Sequence, residues 1–260
     1  MSASTPHVVS RITGSLVGGF VILATVPSCG DAEVVPVMIL GILAPPTPTG
    51  SGTTAGCVYV PAGKGLFLSF GTVDFAFTRQ YTPVLLLANQ LIPHRSPTNL
   101  VTPTGIVLGA DVRVTDADGN PLDSYTVAGA GFLAASAGNE PGLGAYETTL
   151  VSSAAADKLG MFSGTRRLVS YVKVHGTTYD GARFESGEAA FPINVCIGCL
   201  VTFPVTADDP ASATQPNCDA SSSTAITSPC VVGQDQPIDC RLCASTNAPF
   251  APPNMNVCEP

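Results

Sequence analysis

The chain has 260 residues, of which 12% are charged, and its 11 basic and 19 acidic side chains give a net charge of −8 at pH 7. This charged fraction is about half that of an average soluble domain. No stretch is dense enough in Lys and Arg to neutralise a row of phosphates, so the composition excludes a nucleic-acid partner. Hydrophobic residues make up 45% of the chain, enough for the core of one large or two small domains.

The N-terminal region is typical of an export signal. Arg11 precedes the apolar segment Ile12–Val26, which is too short and too rich in small residues for a transmembrane helix. A charged start, a short apolar stretch and a small residue before a boundary predict a signal peptide over residues 1–28. The alternative is a buried N-terminal helix, although the segment has no amphipathic pattern.

This signal ends in Val26-Pro27-Ser28-Cys29, which resembles the lipobox of bacterial lipoproteins in its aliphatic first residue and in the small residue before the cysteine. The resemblance implies a diacylglyceryl group on the Cys29 sulfur, cleavage before Cys29 and acylation of the new N-terminus. More than one acyl chain gives a stable membrane anchor. Because Gly30 comes next, the resemblance also implies sorting to the outer membrane. Ordinary cleavage after Ser28, leaving a free thiol, is the alternative.

The cysteine count bears on this choice. The chain has nine cysteines, an odd number that cannot all pair, and lipidation of Cys29 leaves an even set. Export places that set in an oxidising compartment, where disulfides persist. The sequence leaves the connectivity open. The disulfide candidates are Cys57, Cys196, Cys199, Cys218, Cys230, Cys240, Cys243 and Cys258.

Residues 29–56 follow the anchor. The apolar run Val34–Ala44 is far too short to span a bilayer and predicts a first strand. The Pro-, Thr-, Gly- and Ser-rich stretch that follows predicts a loop or spacer.

Residues 57–205 show the alternation of apolar and polar residues that predicts β-strands, as in GLFLSF, TVDFAF, IVLGADVRV and LVSYVKVHG. The alternation changes phase at Gly71-Thr72, which predicts a β-bulge. Asp180-Gly181 predicts a hairpin turn, and Ser153–Gly160 has the one helical pattern in this region.

Short strands separated by turn signals predict an all-β fold, specifically an immunoglobulin-like or fibronectin-like β-sandwich. The segment DVRVTDADGNPL resembles the hairpins of bacterial immunoglobulin-like and fibronectin-type domains.

Residues 206–260 are poor in large apolar residues and rich in cysteine, so this extension needs disulfides to hold it together. Seven of the eight pairing candidates lie within residues 196–258. If all of them pair, one must reach Cys57, which predicts that the extension packs back on the sandwich. The segments FPINVCIGCLVTFP and PCVVGQDQPIDCRLC resemble the C-terminal region of predicted lipoproteins of myxobacteria, a group without an assigned activity.

Two CxxC pairs, Cys196/Cys199 and Cys240/Cys243, have the spacing of zinc ligands. The long gap between them and the exported context favour disulfides over zinc. A thioredoxin-like redox role is less favoured because no helical pattern follows either pair.

Asp116, Asp118 and Asn120 are spaced like the start of a calcium loop, but the later bidentate glutamate is missing. A polar hairpin turn is the preferred interpretation. His175 is predicted to face solvent. Nothing in the sequence pairs Glu185 and Glu188 across a cleft, as glycoside hydrolysis requires.

We therefore expect an exported envelope protein held to the membrane by lipid at Cys29, with a non-catalytic structural or interaction role and no cofactor. A protein that binds an envelope partner or ligand through loops of the sandwich is the first alternative. An enzyme of unrecognised type is the second.

Overall fold

A computed structural model gives the fold of the chain, and residues 35–260 form one compact unit. The structure describes residues 36–46, 57–62, 65–91, 94–95, 100–101, 103–137, 139–219, 226, 228–243 and 255–258. The predicted signal peptide and Cys29 lie outside these residues. Within them, no helix has the length and apolar character needed to cross a bilayer.

Most of the regular structure is β-strand, which confirms the predicted all-β class. The strands are β1 Val37–Leu43, β2 Phe67–Leu68, β3 Gly71–Asp74, β4 Val84–Asn89, β5 His94–Arg95, β6 Leu100–Val101, β7 Gly105–Asp116, β8 Pro121–Leu133, β9 Gly142–Glu147, β10 Arg166–Thr178, β11 Arg183–Glu185, β12 Ala189–Cys196, β13 Val201–Thr202 and β14 Ile238–Asp239. The α-helix α1 spans Ser153–Leu159, and 3₁₀ helices span Val205–Ala207, Cys240–Leu242 and Met255–Cys258.

Two sheets contain most of these strands. The first has the order β2-β1-β4-β9, and the second has the order β3-β12-β10-β7-β8, with β11 paired to β10. Strand β10 alternates between buried and half-buried residues along most of its length, as expected for a strand with one face against a core. Leu85 and Leu87 of the first sheet belong to the same buried cluster as Val112 and Val172 of the second. The two sheets therefore share one core.

The phase change at Gly71-Thr72 has a different cause from the predicted bulge. Strand β2 pairs with β1 in the first sheet, whereas β3 pairs with β12 in the second. The chain crosses from one sheet to the other at this point, so the prediction of a bulge was wrong. Gly71 is needed there because a Cβ atom would lie 2.4 Å from the ring of Tyr81.

The predicted helix and hairpin are both present. The Ser152 side chain caps α1 by accepting a hydrogen bond from the Ala155 N–H. Strands β10 and β11 pair through the turn at Asp180-Gly181, where Gly181 has a φ of +87°. A positive φ is the conformation that favours glycine in such turns.

The C-terminal extension has its own small core and is bound covalently to the rest of the chain. Its buried residues cluster around the disulfide-bonded cysteines. The four disulfides are Cys57–Cys230, Cys196–Cys199, Cys218–Cys240 and Cys243–Cys258. The first of them spans 173 residues of sequence and joins the extension to the region before β2.

The extension also covers the outer edge of β3. The Asp74 N–H donates to the Gly233 carbonyl over 2.8 Å, and the Asp235 N–H donates to the Thr72 carbonyl over 3.0 Å. An uncovered edge strand offers free N–H and C=O groups to other chains. Because residues 233–235 occupy these groups, the outer edge of β3 is not free to pair with another chain.

Candidate functional site

A buried carboxylate lies beside the first CxxC pair. Strands β3 and β12 run parallel, and their register places Asp74 opposite Cys196. Asp74 is fully buried. Its Oδ1 accepts hydrogen bonds from the N–H groups of Ala76 at 3.0 Å and Gly198 at 2.7 Å, and its Oδ2 accepts one from Leu200 at 3.0 Å. The carboxylate therefore organises the turn that contains the cysteines.

Asp74, Cys196 and Cys199 form the one group of three potential metal ligands found among the described residues, with ligand atoms within 4.8 Å of one another. The two sulfurs are joined in a disulfide, whereas a metal needs thiolates. In this oxidised form the group has the geometry of a disulfide beside a carboxylate.

A second cluster lies on the other side of β3 and links it to the extension. The buried Tyr81 hydroxyl donates to Asp235 Oδ2 over 2.8 Å, and the Thr72 N–H donates to Asp235 Oδ1 over 2.7 Å. Asp235 has a φ of +55°, a conformation that Asp tolerates better than most residues. The neighbouring Gln234 accepts a hydrogen bond from the Thr82 N–H over 2.9 Å. These contacts hold the extension against the start of β4.

Burial raises the pKa of the Asp235 carboxyl to about 6, although its hydrogen bonds from Thr72 and Tyr81 act in the opposite direction. Burial and the negative charge of Asp235 raise the pKa of Tyr81 well above its ordinary value. Asp235 thus titrates close to neutral pH, while Tyr81 keeps its proton and remains the hydrogen-bond donor.

Mild acidification is expected to stabilise the fold through Asp235. Its pKa is about 6 in the folded chain, against an ordinary value of 3.8. The folded state therefore binds the proton more tightly, and the resulting stability is fully present below 3.8 and lost as the pH rises through about 6. The free energy of unfolding in urea should increase by on the order of 2 kcal/mol between about pH 7 and about pH 4.

Asp235→Asn is the control for this effect. Its amide oxygen can still accept from Thr72, and its amide N–H can donate to the Tyr81 oxygen. The variant should lose most of the increase on acidification. An unchanged pH profile in the variant would assign the effect to other groups.

The calcium-like turn joins β7 to β8. Asp116 Oδ1 accepts from the N–H groups of Asp118 at 3.0 Å and Asn120 at 2.8 Å, and Oδ2 accepts from the Asn120 side-chain amide at 2.8 Å. These hydrogen bonds, with the Asn120 side chain first among them, hold the pKa of Asp116 below its ordinary value. The carboxylate is engaged within the turn, which is the hairpin geometry preferred from the sequence.

Paired charges lie on the outer face of the second sheet. The ion pairs are Arg113 with Glu188 and Lys173 with Glu185, and the His175 ring lies 3.7 Å from the Asp111 carboxylate. Arg113 also lies 3.9 Å from the centre of the Tyr171 ring. Glu185 and Glu188 thus each face a basic side chain, and His175 is partly exposed beside a carboxylate. Exposed pairs of this kind contribute little to stability.

The sequence indicates the cysteines of the site but does not indicate its two carboxylates, Asp74 and Asp235. Asp74 gives one usable signal, because it is an acidic residue inside the alternating apolar segment TVDFAF. Asp235 gives none, because it lies in a polar stretch and meets Tyr81 across 154 residues.

No protein-family model matches this chain, and neither the curated proteins nor the solved structures include one that is significantly similar to it. The functional assignment therefore depends on its own residues.

Proposed function

We propose that this chain is an exported, lipid-anchored protein of the bacterial cell envelope with a non-catalytic structural or interaction role. The observation that carries the proposal is the pairing of eight cysteines in four disulfides. Such bonds persist in oxidising compartments. They leave Cys29, the ninth cysteine, at the end of the apolar segment that resembles a lipoprotein signal.

We also propose an immunoglobulin-like arrangement of the two sheets, and the strand order supports it. In such folds a B–E pair lies in one sheet and strands C, F and G lie in the other. Strands β4 and β9 correspond to B and E, and β12-β10-β7 correspond to G-F-C.

The parallel pairing of β3 with β12 tests this topology. Backbone NMR contacts between Val73 and Val195 in a parallel register are expected, and antiparallel contacts between the two strands would exclude the topology.

The disulfides and the covered sheet edge are features expected of a protein that has to remain folded outside the cytoplasm. A disulfide joins the extension to the main body, and the same extension covers the edge of β3. The paired charges on the outer face of the second sheet supply a polar surface for an interaction role. Such surfaces give specificity and speed of association more than affinity.

Cys29→Ala is expected to abolish incorporation of radiolabelled palmitate in the native host and to release the protein from the membrane fraction. The thioether linkage needs the sulfur, and without acyl chains the anchor is lost. Ser28→Ala is the matched control, since it keeps a small residue before the cysteine and should retain the label. Persistent labelling of the Cys29→Ala protein would contradict the proposal.

A further inference from the structure

We propose that Cys196–Cys199 is a thiol–disulfide exchange site that cycles between disulfide and dithiol while the other three disulfides remain closed. Its substrates are dithiols and disulfides of other molecules in the same compartment. This activity would be catalytic, so it departs from the non-catalytic role proposed above, and it does not depend on the lipid anchor.

The Cys196–Cys199 bond contributes less to the stability of the fold than the other three disulfides. It joins residues only 3 apart in the sequence, whereas the other disulfides span 15, 22 and 173 residues. Stabilisation by a disulfide grows with the length of the loop that it closes. Opening Cys196–Cys199 therefore costs the least conformational restraint.

Hydrogen bonds hold the turn that contains these cysteines, independently of the sulfur–sulfur bond. Asp74 accepts from Gly198 and Leu200 on the turn. The Cys196 carbonyl accepts from the Phe75 N–H over 2.8 Å, and the Leu200 carbonyl accepts from the Ile238 N–H over 2.8 Å. Both sulfurs consequently stay close together in the dithiol, which is what rapid reclosure requires.

Only one cysteine of the pair is accessible to a reagent in solution. Cys199 is exposed, whereas Cys196 is 1% exposed. Cys57 and Cys230 are half-buried, and the four cysteines of the remaining two disulfides are buried. Because exchange requires a thiolate to reach a disulfide sulfur, Cys199 is the sulfur that an incoming thiolate attacks.

The exchange transfers two electrons and two protons between a dithiol and the cysteine pair in two steps. A thiolate of a dithiol attacks Cys199 Sγ, the bond to Cys196 breaks, and the electron pair leaves on the Cys196 sulfur, which takes up a proton. The second thiolate of the dithiol then attacks the first sulfur of the dithiol, which is bonded to Cys199. Cys199 leaves with the electron pair and takes up the second proton. Two electrons and two protons pass to the cysteine pair, and the dithiol becomes a disulfide. The reverse steps reduce a substrate disulfide.

Asp74 biases the direction of this exchange. Its buried carboxylate disfavours a second negative charge on the nearby Cys196 sulfur. The protonated thiol has an acceptor at hand, because the Val73 carbonyl oxygen lies 3.7 Å from Cys196 Sγ. Because the Cys196 thiolate is not stabilised, the disulfide form of the pair is favoured over the dithiol form. The reduced pair therefore acts as an electron donor to a substrate disulfide.

Selective reduction tests the site on the mature folded protein. Limiting dithiothreitol is added, samples are quenched at successive times in acidic denaturant, the free thiols are alkylated there, and the modified cysteines are mapped by mass spectrometry. Cys196 and Cys199 should be reduced at least about tenfold faster than any other cysteine, with unchanged circular dichroism. If another disulfide opens first, or if this one opens only as the protein unfolds, the proposal is wrong.

Turnover separates an exchange site from a merely accessible bond. The protein should accelerate the reduction of oxidised glutathione by dithiothreitol, and Cys199→Ser should abolish the acceleration. Cys196→Ser, freed of dithiothreitol and then treated with oxidised glutathione, should instead accumulate a mixed disulfide with glutathione at Cys199. Failure of the wild-type protein to accelerate the reaction would overturn the proposal, whatever the outcome of the palmitate experiment.

Asp74→Asn tests the positioning residue in a Cys199→Ser background, where Cys196 is the one thiol of the pair. Removal of the charge should move formation of the Cys196 thiolate, followed by its ultraviolet absorbance, to lower pH, with folding checked by circular dichroism. An unmoved profile in a folded variant would remove Asp74 from the proposal. If the variant does not fold, the same pH profile measured at low and high salt gives the second test, and a buried charge predicts little salt dependence.

Discussion

The double substitution of Cys57 and Cys230 by Ala is expected to lower the free energy of unfolding by about 5 kcal/mol. This disulfide spans 173 residues, so its loss frees more of the unfolded chain than the loss of any other. A typical domain has a total stability of about 5–15 kcal/mol. The double variant is therefore expected to be marginally stable at room temperature.

Urea unfolding under oxidising conditions measures this effect. The matched control replaces Cys243 and Cys258, which close a loop of 15 residues, and its expected loss is about 3 kcal/mol. Both variants remove one disulfide, so the difference between them reports the length of the loop. Equal losses, or a larger loss in the control, would contradict the loop-length explanation.

Asp74→Ala is expected to cost about 3–5 kcal/mol of stability, the second largest effect. Three N–H groups, on Ala76, Gly198 and Leu200, lose their acceptor. A fully buried donor left without a partner costs about 1–3 kcal/mol, and these three hydrogen bonds are partly buried, so the lower half of that range applies to each. The turn after β12 should loosen as well, because two of these donors belong to it.

Thermal or urea unfolding gives the magnitude, and amide hydrogen exchange gives the location. Protection at Gly198 and Leu200 should fall further than protection in β10. Asp116→Ala is the matched control, because its carboxylate also accepts backbone N–H groups but lies where water can replace it. A loss of stability no greater than in the control would show that the contribution of Asp74 does not come from its burial.

Local patterns were sufficient for many strands and for the helix. The alternation in LVSYVKVHG corresponds to part of β10, and the Ser153–Gly160 pattern corresponds to α1. Both features depend on the period of side chains along one element, which is a property of neighbouring residues. The second half of β8, AGAGF, has little alternation, so no local pattern predicts it. Its place is set by pairing with β7.

Contacts between distant segments could not be predicted, because they do not depend on the pattern of neighbouring residues. The phase change at Gly71 is compatible with a bulge or with a change of sheet, and only the pairing of β3 with β12 distinguishes them. Strand β1 belongs to the first sheet with β4, although the sequence places it in a separate segment before the spacer.

The order of the amino acids is sufficient to predict the β-rich class. It also predicts that, if Cys29 is lipidated and the other eight cysteines all pair, a cysteine within residues 196–258 reaches Cys57. These conclusions follow from periodicity and from counting. The tertiary structure alone decided the partners Cys57–Cys230, the position of Asp74 against Cys196, and the contact between Tyr81 and Asp235. Each joins segments more than a hundred residues apart, and such contacts form only where burial in a shared core outweighs the entropy of closing the chain between them.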